Sequence, residues 1–348
     1  MSLECVIRKS FPSFCLDVAF EADDEVHALL GASGCGKSMI LRCIAGIETP
    51  DEGRIVLNGR TLYDSASKIN LPSRERRAGL LFQHFALFPH LSVLENIRLA
   101  VPGRDLRRAK EYVERCRLND SAHLHPEKLS GGQRQRCALA RMIAHEPDIL
   151  MLDEPFSALD SFLRWQIERE IVSEIESFRG TVLLVSHNRD EVFRICDRVT
   201  TMVDGKNAPA RDKRDLFFSP RTYADALLTG CKNIVPARRE GRSVILPDYS
   251  LRFSCPKDRP GFDCIGIRAK APIVAARAVP SRDYIIAEYE IIRQLDNLSS
   301  HILTLRLNGA GTPFYWEVPN ECFEEAVTSC QLAIPMNEIL YLLKEQRE

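Results

Sequence analysis

Residues 31–38, Gly-Ala-Ser-Gly-Cys-Gly-Lys-Ser, constrain the fold of this 348-residue chain more than any other segment. They fit the pattern G-x-x-x-x-G-K-S, in which glycines let the backbone wrap around a polyphosphate without Cβ clashes. An apolar run at residues 27–30 precedes the motif, and a helical pattern begins near Lys37. Successive N–H groups and the positive end of that helix would face an anion. The sequence therefore predicts an α/β fold with a phosphate-binding loop between a strand and a helix.

Two side chains at the end of this loop are suited to a nucleotide triphosphate. Lys37 would reach the β- and γ-phosphates, and the Ser38 hydroxyl would bind Mg²⁺. Cys35 would contribute its backbone N–H, and its thiol would be open to modification when the nucleotide is absent. The candidate nucleotide-binding residues of this segment are Gly31, Ala32, Ser33, Gly34, Cys35, Gly36, Lys37, Ser38 and Met39.

A pair of carboxylates follows a second apolar run, at residues 149–152. Such a run is typical of a buried parallel strand. Asp153 would hold Mg²⁺, and Glu154 would polarise the water that attacks the γ-phosphate. Taken alone, an acidic turn after a core strand explains the pair equally well, but the phosphate loop in the same chain favours the catalytic interpretation.

Two further polar residues follow apolar runs. Gln83 comes shortly after residues 78–81 and would contact Mg²⁺ and the attacking water. His187 comes directly after residues 182–186 and would donate a hydrogen bond to the γ-phosphate, where charge develops in the transition state. A lone Gln or His at a strand end is usually structural, so both assignments depend on the other motifs.

Residues 129–136, Leu-Ser-Gly-Gly-Gln-Arg-Gln-Arg, add a motif that ordinary phosphate-loop enzymes lack. With it, the chain resembles the ATP-binding subunits of ATP-binding-cassette (ABC) transporters. The resemblance rests on the phosphate loop, Gln83, the 129–136 motif, residues 149–154, residues 157–160 (Ser-Ala-Leu-Asp) and His187. It covers residues 1–230 closely and implies an ATP hydrolase that uses Mg²⁺, with a RecA-like core and a helical subdomain at about residues 84–145.

The resemblance also implies a head-to-tail homodimer with two ATP molecules at its interface. In that arrangement Ser130, Gly131, Gly132 and Gln133 of one subunit cap the γ-phosphate held by the other. The physical basis is a helix N-terminus offered to an anion, with Ser130 as the cap. Asp160 would couple the two sites across the interface.

The family stacks adenine on an aromatic residue that precedes the phosphate loop. Phe11 stands where that residue is expected, just before the run at residues 14–18. Phe14 is the alternative. The sequence leaves open which of the two rings contacts the base.

From about residue 231 the chain changes character. Short β-rich runs separated by turn residues indicate a small antiparallel barrel or sandwich. In the family such tails are regulatory domains of the oligonucleotide-binding (OB, or TOBE) type, so we expect a regulatory domain at residues 231–348. Direct binding of an oxyanion by Ser299, Ser300, His301 and Arg306 is left open, because the tail lacks the Ser-Ala-Arg-Asn pattern of small molybdate-binding domains.

The transported solute is predicted by resemblance alone. No membrane domain is fused to the cassette, and residues 85–97 together with the tail resemble importers of oxyanions, sugars, iron and polyamines. Residues 61–65, 69–72 and 76–77 favour molybdate, with sulfate or thiosulfate, ferric iron and polyamines as alternatives. A non-transport ABC ATPase is less favoured, because this chain has one cassette and no long heptad insertion.

The same resemblance predicts the partners and the location. Two transmembrane permease subunits would dock near residues 83–91, and a solute-binding protein outside the membrane would act indirectly. The chain would lie on the cytoplasmic face of the membrane, since no apolar stretch is long enough to cross it. A net charge of −1 excludes an overall field that attracts nucleic acid. Twelve cysteines without C-x-x-C spacing predict free thiols rather than disulfides or a metal site.

Overall fold

The computed structural model describes residues 2–157, 161–256, 261–279 and 283–344, without the side chains of residues 161–164 and 166. The chain divides into two compact units, Met1–Lys213 and Arg214–Glu348. The division that the sequence predicts, at residues 230 and 231, stays a prediction. All twelve cysteines are free thiols.

The described part of the first unit is built on one twelve-stranded mixed sheet. Its strands are β1 (Leu3–Phe11), β2 (Phe14–Ala22), β3 (Val26–Gly31), β4 (Glu52–Leu57), β5 (Arg60–Asp64), β6 (Ile69–Asn70), β7 (Ala78–Leu81), β8 (Ile149–Asp153), β9 (Thr181–Ser186), β10 (Arg198–Val203), β11 (Lys206–Asn207) and β12 (Arg211–Asp212). Their order across the sheet is β6-β5-β4-β1-β2-β11-β10-β3-β9-β8-β7, and β12 pairs with β10.

The two halves of the sheet differ in direction and in burial. From β10 to β7 the strands run parallel, and β8 and β9 are buried along their whole length. From β6 to β2 they are antiparallel, and β1 and β2 alternate buried with exposed side chains. Continuous apolar runs are typical of a parallel sheet that is covered on both faces. Alternation of apolar and polar residues is typical of an antiparallel sheet with one face in solvent. The apolar runs of the sequence therefore correspond to the parallel half.

Helices cover the parallel strands and form a separate group between β7 and β8. They are α1 (Lys37–Ala45), α2 (Val93–Arg98), α3 (Leu106–Arg115), α4 (Gly131–Ala144), α5 (Ser161–Ser177) and α6 (Arg189–Ile195). Two more helices, α7 (Lys213–Phe218) and α8 (Tyr223–Leu228), follow β12 and belong, apart from Lys213, to the second unit. In the group from α2 to α4, Val93, Ile97, Val113 and Cys137 are buried in one apolar cluster. This group falls within the helical subdomain predicted for residues 84–145.

The phosphate-loop helix α1 is fixed at its C-terminal end by Arg76, a residue whose structural role the sequence does not reveal. The guanidinium is almost fully buried and donates to the carbonyls of Cys43 (2.7 Å) and Ile44 (3.0 Å). A cation at this end of a helix also complements the helix dipole. Burial lowers the pKa of Arg76 from its usual value. A Cβ at Gly46 would lie 2.5 Å from Nε of Arg76, so only glycine leaves room for it.

The second unit is β-rich, as the fold class predicts. Its strands are β13 (Asn233–Pro236), β14 (Arg238–Glu240), β15 (Ser243–Leu246), β16 (Leu251–Ser254), β17 (Cys264–Ile267), β18 (Ile273–Val274), β19 (Tyr284–Asp296), β20 (Ser300–Leu307), β21 (Pro313–Pro319), β22 (Gln331–Pro335) and β23 (Ile339–Leu342), with one helix among its described residues after residue 231, α9 (Phe323–Thr328). They form antiparallel sheets in the orders β13-β17-β23, β14-β15-β16 and β18-β22-β19-β20-β21. The sheets share one apolar core, in which Trp316 donates from Nε1 to the carbonyl of Pro272 (2.8 Å).

The residues considered for direct oxyanion binding do not converge in this unit. Ser300 donates to Glu317 (3.2 Å), His301 hydrogen-bonds Asp296 (2.8 Å), and Arg306 donates to Glu290 (2.9 Å). Ser300 and Arg306 stand six residues apart on β20, which is roughly 20 Å along a strand. Each of these three groups already faces a carboxylate, which would repel an anion, so the three do not form an oxyanion site.

Short 3₁₀ turns connect the elements. They are Ser73–Glu75, Pro102–Arg104, Asn119–Ser121, Pro126–Lys128, Pro247–Tyr249, Ala275–Arg277, Asn320–Cys322 and Met336–Glu338. Within the described ranges, no helix has both the length and the apolar composition that crossing a membrane requires.

Candidate active site

Four segments carrying the predicted site residues meet at one edge of the parallel sheet. The strand register places their ends side by side: Leu81 pairs with Leu152, Asp153 with Val185, and Leu30 with Ser186. Because ligands of open α/β sheets bind outside the carboxyl ends of the strands, this edge is where a site is expected. The phosphate loop leaves β3 here, and Gln83, Glu154 and His187 follow β7, β8 and β9.

The loop between β3 and α1 has the glycine-dependent backbone that the motif predicts. Gly34 and Gly36 have φ of 84° and 101°, which is the region that favours glycine. A Cβ at Gly36 would also lie 2.8 Å from Leu16 and 2.9 Å from the ring of Phe14. The ammonium of Lys37 is buried and donates to the carbonyls of Gly31 and Ala32, both at 2.8 Å. The lysine charge is therefore held against the loop that would cradle phosphate.

The thiol of Cys35 is not open to modification, contrary to the expectation from the sequence. The residue is only 7% exposed and belongs to the apolar cluster beneath the loop. Its Sγ accepts a hydrogen bond from Nζ of Lys37 (3.6 Å).

The two predicted Mg²⁺ ligands at the loop are already in contact. Oγ of Ser38 donates to Oδ1 of Asp153 at 2.7 Å. Burial raises the pKa of Asp153, while the hydrogen bond from Ser38 acts in the opposite direction. A divalent cation beside a buried carboxylate favours its ionised form. One hydroxyl, one carboxylate and the nearby amide of Gln83 are oxygen donors of the kind that Mg²⁺ prefers, so the residues fit this ion.

Besides Lys37, the predicted catalytic residues are Glu154, Gln83 and His187, and Glu154 lies between the other two of these. Nδ1 of His187 lies 3.0 Å from Oε1 of Glu154, and Nε2 of Gln83 donates to Oε2 at 3.4 Å. Glu154 has φ of 45°, a left-handed conformation that is uncommon for a residue with a side chain. Such backbone strain persists only where the surroundings enforce it, and it clusters at functional sites.

The aromatic pair Phe11 and Phe14 closes one side of the same cavity. Their ring centroids are 5.9 Å apart. A Cβ at Gly36 or at Gly205 would lie 2.9 Å from the Phe14 ring, so this ring is wedged between two glycines. The ammonium of Lys9 instead lies over the Phe11 ring, 5.6 Å from its centroid. Phe14 supports the loop, and Phe11 presents the less constrained ring.

The cavity has a volume of about 480 Å³, which is sufficient for a nucleotide. Its lining consists of Phe11, Phe14, Ser33, Gly34, Gly36, Lys37, Ser38, Met39, Gln83 and Glu154. Aromatic rings at one end and cationic and hydroxyl groups at the other match a molecule with a flat base and an anionic tail.

The 129–136 motif forms the start of a helix, as predicted, away from this cavity's lining. Ser130 is exposed and caps α4: its Oγ accepts from the N–H of Gln133 (3.2 Å), and the Gln133 side chain accepts from the N–H of Ser130 (2.9 Å). This reciprocal capping box fixes the first turn. Gly131 and Gly132 follow in that turn. Asp160 lies outside the described residues.

The polar contacts behind Gln83 were not predicted from the sequence. Arg141 on α4 donates to the carbonyls of Phe85 (3.1 Å) and Ala86 (2.8 Å), which have φ of 60° and 45°. The fully buried Asn96 accepts from the N–H of Phe88 (2.9 Å) and donates to its carbonyl (3.1 Å). The sequence signal that could have indicated these contacts is Asn96, a polar residue on the same helix face as the apolar residues Val93 and Ile97.

The family model described as ABC transporter matches residues 17–157. A sulfate/thiosulfate import ATP-binding protein of Chromobacterium violaceum is 35% identical over 297 residues, covering 83% of this chain and 78% of that protein. A molybdate/tungstate import ATP-binding protein of Pyrococcus horikoshii is 33% identical over 313 residues, covering 87% of this chain and 88% of that protein. This chain belongs to the ABC transporter family. Its relatives place it among the ATP-binding proteins of import type.

Two other similar proteins align with a smaller share of this chain. An Fe(3+) ions import ATP-binding protein of Haemophilus influenzae is 37% identical over 228 residues. The chain spans 64% of the length of that protein. Among solved structures, the ATP-binding cassette MJ0796, a dimer in a post-hydrolysis state bound to ADP and Pi, is 29% identical with a TM-score of 0.52, covering 62% of this chain and 99% of that one. The predicted cassette fold is thereby confirmed.

ABC ATPases bind ATP with Mg²⁺, and the residues of this ABC transporter chain fit both. The Ser38–Asp153 pair would supply oxygen ligands for the ion, and the loop would supply N–H groups and Lys37 for the phosphates. The aromatic end of the cavity would supply a stacking surface for adenine.

Replacing Lys37 with alanine is expected to weaken ATP binding by about 10- to 100-fold, which is the usual loss for a hydrogen bond to a charged group. Titration calorimetry with Mg²⁺–ATP measures the change. Lys270→Ala is the control, since its exposed ammonium pairs with Glu317 in the second unit and does not line the cavity. Unchanged affinity in Lys37→Ala would remove the lysine from phosphate binding.

The two phenylalanines are expected to respond differently to truncation. Phe11→Ala would weaken ATP binding by about 5- to 100-fold, the range for losing one base–aromatic stack, and would leave the melting temperature nearly unchanged. Phe14→Ala would lower the melting temperature as well, because it removes a ring packed against two glycines. Calorimetry and thermal unfolding distinguish the two. The opposite pattern would assign adenine to Phe14.

Proposed function

We propose that this chain is the ATP-hydrolysing subunit of an ABC importer, acting at the cytoplasmic face of the membrane, with molybdate as the solute. The observation that carries the ATPase assignment is the position of Glu154, which lies within 3.4 Å of both Gln83 and His187 and follows the Ser38–Asp153 pair. This arrangement supplies a base, two orienting groups and a cation site at one edge of the sheet. It fits hydrolysis of a terminal phosphate.

The chain's own residues would divide the reaction as follows. Glu154 orients and polarises the attacking water, and Gln83 holds both that water and the carboxylate in place. His187 and Lys37 donate to the γ-phosphate oxygens as charge develops on them. Ser38, Asp153 and Gln83 would hold Mg²⁺, which would supply positive charge to offset the charge of the phosphates.

A homodimer completes the proposed site. The N-terminus of α4, with exposed Ser130 and the glycines behind it, would cap the γ-phosphate held by a second copy. An N-terminus of a fourteen-residue helix attracts an anion through its free N–H groups and its dipole. The dimeric state of the MJ0796 cassette supports this proposal. ATP would then favour the closed dimer, because each ATP contacts both subunits.

The segment at residues 83–91 is the proposed docking surface for two permease subunits. A cavity of about 290 Å³ lies there, lined by Gln83, His84, Phe85, Leu87, Pro126 and Arg134. Phe88 is 44% exposed, with the Arg141 guanidinium 5.4 Å from its ring centroid. Since the same segment contains Gln83, movement of a docked permease would reach the catalytic groups directly.

The solute assignment rests on the relatives and on residues 61–77. The molybdate/tungstate protein of Pyrococcus horikoshii and the sulfate/thiosulfate protein of Chromobacterium violaceum align over similar shares of this chain, 87% and 83%, so the relatives support both solutes. The preference for molybdate rests on residues 61–65, 69–72 and 76–77. Sulfate or thiosulfate, ferric iron and polyamines are the alternatives. A solute-binding protein outside the membrane would set specificity, because the ATPase does not line the pore.

Residues 231–348 are proposed as a regulatory domain of OB type. Helix α8 (Tyr223–Leu228) belongs with it in space: Thr222 bridges to Leu343, and Ala226 packs with Cys231 and Leu342. A truncation for functional tests should therefore follow residue 213, because a cut at residue 230 would expose this apolar contact.

The transporter assembled with its permease, in proteoliposomes, provides the test. ATPase activity is measured with the solute-binding protein and molybdate, tungstate, sulfate, thiosulfate, ferric ion or spermidine. Stimulation by molybdate and tungstate alone is the expected result. Stimulation by another solute would overturn the choice of molybdate and leave the ATPase intact. No ATPase activity with any of them would overturn the importer function.

A further inference from the structure

Helix α4 forms a side-chain hydrogen bond with the catalytic turn through Gln135. This residue is fully buried, with 0% exposure. Its Nε2 donates to the carbonyl of Pro155 at 2.6 Å. Because a carbonyl only accepts, the amide must present its NH₂ end here, which fixes its orientation. Pro155 is the residue directly after Glu154, so the bond joins the helix to the backbone that carries the catalytic carboxylate.

The backbone of Glu154 is held in its strained conformation from several sides. Its N–H donates to the carbonyl of Val185 on β9 (3.0 Å). Its carbonyl accepts from the N–H (3.1 Å) and the Oγ (2.9 Å) of Ser157. The Gln135 bond constrains the next carbonyl along the chain. Of these contacts, only the last comes from the helix that begins with Ser130.

The carbonyl end of the Gln135 amide forms no hydrogen bond among the described residues that would make glutamine favourable here, so the bond to Pro155 is the one identified interaction that favours this residue. Its Oε1 is buried and has no hydrogen-bond partner in the portion of the chain that the structure describes. An apolar side chain of the same size would avoid that cost. The amide therefore forms its hydrogen bond through the NH₂ group. If that bond is lost, no other hydrogen bond of the side chain within the described ranges replaces it.

Gln135 also lies close to the signature end of α4. It is five residues from the Ser130 cap, which is roughly 7.5 Å along a helix. The capping box makes this first stretch rigid. A displacement or rotation of the helix N-terminus would thus change the position of the Gln135 amide. The length and direction of its hydrogen bond to the Pro155 carbonyl would change with it.

We propose that Gln135 is a positioning residue that links the signature end of α4 to Glu154 of the same subunit. The proposal rests on the proposed dimer, in which that end contacts ATP held by the other copy. ATP on one subunit then adjusts the catalytic glutamate of its partner through α4 and a single hydrogen bond. The two sites would hydrolyse ATP cooperatively along this route.

The test uses the full chain and Mg²⁺–ATP, with steady-state phosphate release measured over a range of ATP concentrations. Gln135→Met keeps the size of the side chain and removes the donor. The expected result is a drop in kcat of about tenfold, the usual effect of one lost hydrogen bond, with the Hill coefficient falling toward 1. Binding of ATP to the isolated subunit should not change. Gln331→Met, at an exposed glutamine of the second unit, is the matched control.

A second variant, Gln135→Glu, is tested by the pH dependence of its activity, which would not change if Gln135 served only to fill space. A neutral carboxyl can donate to Pro155 as the amide does, whereas an ionised one cannot. Burial should raise the pKa of the new carboxyl. Activity relative to the parent should therefore be highest at low pH and fall as pH rises and the donor is lost.

The outcomes separate this proposal from the one on which it rests. A lower kcat with an unchanged Hill coefficient, or a Gln135→Glu to parent ratio that is flat with pH, would overturn the link. Parent-like behaviour of both variants would do the same while leaving the ATPase function standing. If the parent chain itself released no phosphate, the proposed function would fail first.

Discussion

Replacing Glu154 with glutamine is expected to lower the maximal rate of ATP hydrolysis by about 10²- to 10⁴-fold, the usual contribution of a general base. Glutamine keeps the size of the side chain and cannot accept a proton from water. The contacts to Gln83 and His187 engage both carboxylate oxygens and hold the carboxylate at the cavity that the phosphate loop lines. ATP binding should remain, because the loop and the Ser38–Asp153 pair are untouched. The ATP-bound dimer should therefore accumulate.

Phosphate release measures the rate, and size-exclusion chromatography with Mg²⁺–ATP measures the trapped dimer. Glu146→Gln is the matched control: Glu146 is also a glutamate with positive φ (52°), placed just after α4. It forms an exposed ion pair with Arg108, and such pairs contribute little to stability. Turnover near the parent rate in Glu154→Gln would assign water activation to another group.

The local parts of the site were predictable from the sequence because each depends on short-range rules. Glycines with positive φ mark the phosphate loop, and apolar runs mark the buried parallel strands that end at Asp153 and just before His187. A Ser with Gln three residues later marks the start of α4. In a parallel sheet the carboxyl ends of strands share an edge, so these local predictions also bring the residues together.

Other features depend on contacts between distant segments, which one sequence does not reveal. Arg76 reaches the end of α1 across about thirty residues, and Gln135 reaches Pro155 across twenty. Nothing in their local sequence distinguishes them from surface residues. The inward turn of Cys35 likewise depends on how the loop packs on the core beneath it. The question of oxyanion binding by the tail stayed open at the level of sequence for the same reason, because the carboxylate partners of its side chains lie on neighbouring strands or across a hairpin turn.

Exchanging Ser130 for aspartate is expected to abolish ATP-dependent dimerisation, with the dimer dissociation constant raised at least about 100-fold. Aspartate is as good a helix cap as serine, so α4 should begin normally. It places a carboxylate where the proposed dimer holds a γ-phosphate. Juxtaposed like charges cost several kcal/mol, and a homodimer contains the contact twice. Hydrolysis should fall in parallel, since the active sites would not close.

Ser130→Asn is the control that isolates the charge. Asparagine caps a helix about as well as aspartate and has nearly the same shape, but it is neutral and can donate a hydrogen bond to phosphate. Analytical ultracentrifugation with Mg²⁺–ATP, in the Glu154→Gln background to prevent turnover, should show a dimer for Ser130→Asn and a monomer for Ser130→Asp. Equal dimerisation of the two variants would mean that position 130 does not face the partner's phosphate. The two halves of the active site would then have to meet through a different surface.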